Sequence, residues 1–256
     1  GELYEGFRWQ VPDAFNLGEV CCRRWARDTP DASALNRKLY DMVRGFLPAV
    51  EERLAELVGL TQARRLIVTY GNALPDAYCS RYPTDDAAAD IIRLDSLADD
   101  RQRSIRLYRL PSDPPEQLRL KLYKRGALVP LSDVVPALEN FGFTVMKETP
   151  TRLDEVGSNI YEFALVMADG SPASRLDDRA AMIEEAIGSV LRGDAENDAF
   201  NQLIISADLT PRSVVWLRAW FRYLRQTGVA YGLMTMVDAL KRSPAASQAL
   251  IGWFAA

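Results

Sequence analysis

Histidine is absent from all 256 residues, and that absence removes much of the usual catalytic repertoire. It excludes a Ser-His-Asp or Cys-His relay, an imidazole zinc ligand and a proton shuttle near neutral pH. Lys, Asp, Glu, Tyr and Cys remain. Lys121, Lys124 and Lys147 are the lysines placed to act as bases, but each neighbours polar or strand-edge positions and none has a visible reason to be desolvated. Asp194, Glu196 and Asp198 alternate like the opening ligands of a calcium loop. That loop needs Gly at its sixth position and Glu at its twelfth, where this chain has Ala199 and Ile205. The three acids are expected instead around the first turn of a helix at Phe200, where the helix dipole favours negative charge. No glycine loop for a dinucleotide or for ATP is present, and Gly157 and Gly170 read as isolated turn glycines. The expectation is therefore no catalytic, cofactor-binding or metal-binding residue in this chain.

Arg218, Arg222 and Arg225 are spaced four and three apart and share one helix face. Trp216, Trp220 and Tyr223 line an adjacent face, and Val214, Leu217, Phe221 and Leu224 form an apolar stripe. A basic, aromatic helix can hold a nucleotide or nucleic acid. The plainer expectation is a core stripe, arginines paired with acidic neighbours, and aromatics packed on a further domain. With 31 basic against 35 acidic residues, net charge is -4, which argues against nucleic acid as a partner. No apolar run approaches the roughly 20 residues a membrane span needs, and no signal peptide is visible. Cys21, Cys22 and Cys79 are odd in number and lack ligand spacing, so free thiols in a reducing cytoplasm are expected. The first residue is Gly1 rather than Met, as in a fragment or processed chain.

Several elements must position these residues. A helix is expected from Leu17 to Arg27. Apolar residues from Leu39 to Val58 recur at helical intervals, with Pro48 expected to kink or divide the helix. Arg64–Tyr70 is a β-branched run ended by Gly71, read as a strand. Asp85 to Leu97 reads as a helix capped by Thr84. Ser104–Leu110 and Gln117–Tyr123 alternate with period two and read as strands joined by a Pro-rich turn at 111–115. A helix capped by Ser132 runs through Val134, Val135, Leu138 and Phe141 and stops at Gly142. Phe143–Glu148 and Ile160–Met167 are two further strands, the second apolar enough to be central. Leu176–Leu191 is an amphipathic helix ended by Gly193, and Thr210-Pro211 marks the start of a later helix.

The order β-β-α-β-β-α between residues 104 and 192 puts two helices on one face of a small antiparallel sheet. The expected fold class is α+β, an ACT-like or ferredoxin-like sandwich with flanking helical segments. Four regions follow: 1–36, an N-terminal extension; 37–100, helical or mixed; 101–193, the ACT-like module; and 194–256, helical and leading towards a catalytic domain outside this chain.

Six runs carry a family resemblance: Ala73-Leu-Pro-Asp-Ala-Tyr78, Asp90-Ile91, Leu118-Arg-Leu-Lys-Leu-Tyr123, Leu131-Ser-Asp133 with Pro136-Ala-Leu-Glu-Asn-Phe-Gly142, Glu196-Asn-Asp-Ala-Phe-Asn201, and Leu217-Arg-Ala219 with Tyr223-Leu-Arg-Gln226. In this order and spacing they resemble the large bacterial NAD-dependent glutamate dehydrogenases, over about residues 37–256. The resemblance implies oxidative deamination of L-glutamate to 2-oxoglutarate and ammonia in the parent enzyme, with NAD bound there and not here. It implies a structural or regulatory role for this segment, with other domains of the parent and a homo-oligomer as partners. A second expectation is a stand-alone ACT-like module that binds amino acids. Residues 1–35, with Phe7-Arg-Trp-Gln-Val-Pro12 and Phe15-Asn16, resemble the start of AMP-forming acyl-CoA synthetases. The phosphate loop of those ligases is missing, so no ligase activity carries over.

Overall fold

The computed structural model describes residues 45–255. The helix expected at 17–27, Cys21, Cys22 and the synthetase-like run lie outside them. The helices are α1 (Phe46–Val58), α2 (Leu60–Tyr70), α3 (Asp76–Cys79), α4 (Thr84–Asp95), α5 (Leu131–Asn140), α6 (Ala180–Arg192), α7 (Gln202–Ser206), α8 (Pro211–Gln226), α9 (Leu233–Arg242) and α10 (Pro244–Ala255). The strands are β1 (Ser104–Tyr108), β2 (Gln117–Arg125), β3 (Phe143–Leu153) and β4 (Ser158–Met167).

Three expectations about the first helices change. Pro48 sits in the first turn of α1, where its missing N–H has no intrahelical acceptor in any case. It therefore helps to start the helix and does not kink it. Arg64–Tyr70 is not a strand but most of α2. Its Ala63, Leu66 and Tyr70 fall on one face and are buried against α1 and α4, while Val68 is 81% exposed. The β-branched run satisfied strand propensity, but helical spacing decided which side chains could reach the core. At the starts of α4 and α5, Pro83 and Pro130 occupy the cap positions. Thr84 and Ser132 are the first and second helical residues and not the caps expected. Gly142 and Gly193 do follow α5 and α6 with φ of 90° and 81°, the left-handed geometry that glycine adopts without a Cβ clash.

The sheet has the order β1-β2-β4-β3, antiparallel throughout. β4 is central, as its near-continuous apolarity predicts. Leu120 stands opposite Phe163 and Lys121 opposite Glu162. A bulge between Val145 and Lys147 shifts the register of β3. On one face, Leu118, Leu120, Leu122 and Phe163 pack against Val134 and Leu138 of α5 and Ile183 and Ile187 of α6. These are the two helices read from the element order. The same core continues into Phe200, Leu203, Val214, Leu217 and Val237 of the C-terminal helices.

The other face is covered as well. Tyr123, Leu153 and Ile160 join Leu54, Leu66, Ile91 and Leu94 from α1, α2 and α4. The sheet is thus the middle of three layers, and the upstream helices are part of its packing.

Candidate functional site

The covered second face brings together a cluster of charges and phenols. On β2, side chains alternate, so Leu118, Leu120 and Leu122 point one way and Arg119, Lys121 and Tyr123 the other. Helix α4 lies over the second set. It carries Asp86 and Asp90 four residues apart, hence on one face, beside its apolar stripe of Ala87, Ile91 and Leu94. Packing that helix on that strand places Asp90 over Lys121.

Both residues are 0% exposed, and Lys121 Nζ is 2.5 Å from Asp90 Oδ2. Lys121 therefore departs from the sequence expectation, since it is fully desolvated. The Tyr78 hydroxyl donates to Asp90 Oδ2 at 2.5 Å and the Tyr123 hydroxyl to Oδ1 at 2.7 Å. Arg106 approaches Oδ1 at 3.4 Å and pairs with Asp86 at 2.8 Å. The Lys121 ammonium lies 4.0 Å from the centre of the Tyr82 ring, with the Tyr108 and Tyr78 rings further out, an arrangement that favours a cation. On the far side, the Tyr82 hydroxyl donates to Glu162 Oε2 at 2.5 Å, and Tyr108 donates to Oε1. Arg119 grips Asp113 through two nitrogens, at 2.9 and 2.8 Å, and reaches Glu162 at 3.4 Å.

The electrostatics follow from burial and pairing. Burial, then the Asp90 charge, pushes the Tyr78 and Tyr123 hydroxyls well above the ordinary tyrosine value. Burial and the bond to Glu162 raise Tyr82 and Tyr108 in the same way. For Glu162, burial pulls upward, but the bonds from Tyr108 and Tyr82 and the charges of Lys121 and Arg119 outweigh it, so its carboxyl sits below the usual value. The cluster therefore holds neutral phenols between paired ions.

This arrangement suits positioning. A lysine acting as base or nucleophile needs an open approach to the reacting atom. A cavity of about 130 Å³ beside the cluster touches Glu162 but not Lys121. Asp90 is surrounded by four donors. A buried ion pair of this kind costs several kcal/mol in desolvation per ion and is retained only where its hydrogen bonds are complete. What it provides is register, because α4 must sit where Asp90 meets Lys121, Tyr78 and Tyr123 together.

The other sequence candidates lie elsewhere. Lys124 is buried on the same strand and donates to the Ala127 carbonyl, and burial lowers its pKa. Lys147 is exposed on the bulged edge strand. The three spaced acids do not converge. Asp194 pairs with Arg192 at 2.8 Å, Glu196 with Arg222, and Asp198 caps Phe200 N at 3.0 Å while gripping Arg218 at 2.7 and 2.9 Å. The arginine face of α8 thus pairs with acids, as expected, and Arg225 approaches the Tyr231 carbonyl at 3.5 Å. Trp216 and Trp220 stack edge-on against Phe254 of α10. Cys79 is a free thiol. Among the described residues no group of three or more acidic or cysteine side chains is placed to hold a metal, and no helix is long and apolar enough to cross a membrane.

An antiparallel four-stranded sheet with this element order, set between helical segments, defines an ACT-like α+β protein. Residues 53–97 match the model for glutamate dehydrogenase helical motif 2, residues 102–180 its ACT3 domain, and residues 195–256 its helical motif 3. The chain is 29% identical over 227 residues, 88% of its length, to the NAD-specific glutamate dehydrogenase of Pseudomonas aeruginosa. It is 30% identical over 226 residues, again 88% of its length, to that of Halomonas elongata. It is 32% identical over 263 aligned positions, 98% of its length, to that of Mycobacterium tuberculosis. The chain spans only 14%, 14% and 16% of the lengths of these relatives. It belongs, as a segment, to the large NAD-dependent glutamate dehydrogenases.

Proposed function

We propose that this segment is a non-catalytic structural and regulatory part of an enzyme that oxidatively deaminates L-glutamate to 2-oxoglutarate and ammonia with NAD. In this reading NAD and substrate bind in other domains of that enzyme, which are the segment's first partners. The assembly is a cytoplasmic homo-oligomer.

The observation that carries the reading is the outer surface of α8–α10. Helix α10 has no charged residue, and Trp253, Phe254 and Leu250 project from it, Trp253 being 84% exposed. Tyr223 and Leu224 of α8 and Met234 of α9 extend the same kind of surface. A helix that is apolar all round belongs inside a larger body, and a contiguous apolar surface marks an interaction site. The relatives carry several times this chain's length, which supplies protein surface of the kind such a face fits.

The test is Trp253→Glu combined with Tyr223→Glu in a complete enzyme containing this segment. Loss of assembly, with the melting of the isolated segment little changed, is expected. A double variant that assembles and turns over normally would overturn the reading. So would glutamate-dependent NAD reduction by the isolated segment alone.

A further inference from the structure

A second polar feature lies at the C-terminal end of α4, beyond the Lys121 cluster. A crevice of about 380 Å³ opens where the end of α4, the connection through residues 96–103, β1 and α6 converge. This lies within the range of small-ligand sites, roughly 300–1,000 Å³. Its charged lining is Arg93, Arg103 and Arg192 against Glu184 and Glu185, three cations to two anions.

Four of these five are engaged. Arg93 donates to the Ile105 carbonyl at 2.6 Å and to Glu184 at 3.1 Å. Glu184 also accepts from the Leu107 N–H at 2.7 Å. Arg192 pairs with Glu185 at 2.6 Å and with Asp194 at 2.8 Å. Arg103 is the lining arginine not engaged in this way. Its Nη1 donates to the Asp100 and Gln102 carbonyls at 2.7 and 2.9 Å, which fixes the guanidinium. Among the described residues no carboxylate forms an ion pair with it, and Nε and Nη2 hold no partner. Burial depresses its pKa despite the pull of Asp100, and the neighbouring Arg192 charge pushes the same way as burial.

Neighbouring groups are set to donate. The Ser104 hydroxyl accepts from Arg93 at 3.3 Å, which leaves its proton free. The Gln102 side-chain oxygen Oε1 accepts from Ala98 N at 3.0 Å, which leaves its side-chain NH2 free. Gly188 lies inside α6, where glycine costs roughly 0.5–1 kcal/mol relative to alanine. A Cβ there would meet Arg192 Nη1 at 3.0 Å, so the glycine leaves room for the Arg192 guanidinium beside the crevice.

We propose that this crevice binds a small oxyanion, a phosphate or carboxylate group docked on the Nε–Nη2 edge of Arg103 with Ser104 and Gln102 beside it. Two parallel donors on a planar fork match two oxygens of such a group. The bound anion would tie α4 to α6 across the connection, and so brace the upstream helices against the sheet at the C-terminal end of α4.

Calorimetry on the 256-residue chain tests this, with inorganic phosphate and malonate as separate probes at constant ionic strength held by sodium chloride. Saturable heat with phosphate alone identifies a phosphorylated ligand class, and with malonate alone a carboxylate class. Arg103→Gln should weaken binding by roughly tenfold or more, as expected for losing a charge-assisted fork. Arg103→Lys should keep part of it, and Lys147→Gln, on another face, should leave it unchanged. A shift of the Arg103 Nε–H resonance on titrating the unmodified chain gives the same answer without a variant. No saturable binding of either anion, or binding that Arg103→Gln leaves within about twofold, overturns the proposal.

Discussion

Replacing Lys121 by methionine asks whether the buried pair fixes the upstream helices on the sheet. Methionine keeps most of the side-chain volume and removes the charge. Asp90 would stay in place, 0% exposed, with the Tyr78 and Tyr123 hydroxyls and the more distant Arg106 as donors. Removing one partner of a buried pair costs about 3–5 kcal/mol because the other charge is left uncompensated. Three remaining donors place this case at the lower end, about 3 kcal/mol. For a chain of this size that is a fall of about 6–12 °C in melting temperature. Asp90→Asn should cost a similar amount, since Lys121 would then rest on the Tyr82 ring and on Glu162. If the two effects were independent, the double variant would lose about 6 kcal/mol, but contacting residues couple by 0.5–3 kcal/mol. With neither charge left unpaired, we expect the double variant to lose only about 3–4 kcal/mol. Urea unfolding followed by circular dichroism reads all four chains. The reasoning fails if Lys121→Met costs under about 1 kcal/mol, or if the two substitutions simply add.

Three further outcomes follow from the same geometry. The hydroxyls of Tyr78, Tyr82, Tyr108 and Tyr123 are all raised in the folded chain. The folded state then holds more protons than the unfolded one once pH passes the ordinary tyrosine value near 10, and stability should fall from there upward. An absorbance titration should show these four phenols ionising only together with unfolding; a reversible step near pH 10 in the folded chain with the amplitude of all ten tyrosines would refute this. Glu162 is depressed, so its contribution is complete above the unfolded carboxyl value near 4.5 and is lost as pH falls through the lower folded value. Glu162→Gln should flatten the acid limb of a stability-against-pH curve, and an unchanged limb would count against the assignment. Arg218 is nearly buried and grips Asp198 and Asn201, so Arg218→Met should cost about 2 kcal/mol, the scale of hydrogen bonds to a charged group. Denaturant midpoints would show whether the loss is instead negligible.

What the sequence made legible was whatever depends on local period and on glycine. Ile105 and Leu107, then Leu118, Leu120 and Leu122, alternate cleanly and are paired strands. The run 160–167, apolar but for Glu162, is a central strand, buried from both sides. Gly142 and Gly193 end helices because only they take positive φ there at little cost. The failures share one cause, since each residue's role was set by something distant in the chain. Leu66 and Tyr70 belong to a helix because α1 and α4 supply a surface for that face. Lys121 read as a solvent-side residue of an alternating strand. It became a fully buried charge because α4, some thirty positions upstream, covers it. One signal was available: two acids four apart beside an apolar stripe, and a strand whose non-core positions are Arg119, Lys121 and Tyr123. Complementary charge on two otherwise amphipathic elements is evidence that they face each other.

The position of that pair also bears on what the segment can transmit. Family boundaries divide the chain at 97–102 and 180–195, but neither core stops there. One core runs from Ile105 through Val237 and includes both ACT-like helices and the C-terminal ones. The other runs from Val50 through Ile160 and joins the upstream helices to the same strands. β2 and β4 contribute to both, with alternate side chains on opposite sides. A shift of α4 cannot then be absorbed locally. It must either break the Asp90–Lys121–Tyr123 contacts or move β2, and β2 carries Leu120 and Leu122 in the other core. Close-packed interiors have few intermediate arrangements, so the sheet couples its two helical layers as a near-rigid spacer. Of the two roles proposed above, the structural one is favoured by this construction over a flexible sensor. The anion crevice on α4 and α6 sits where occupancy would bias that coupling with the smallest displacement.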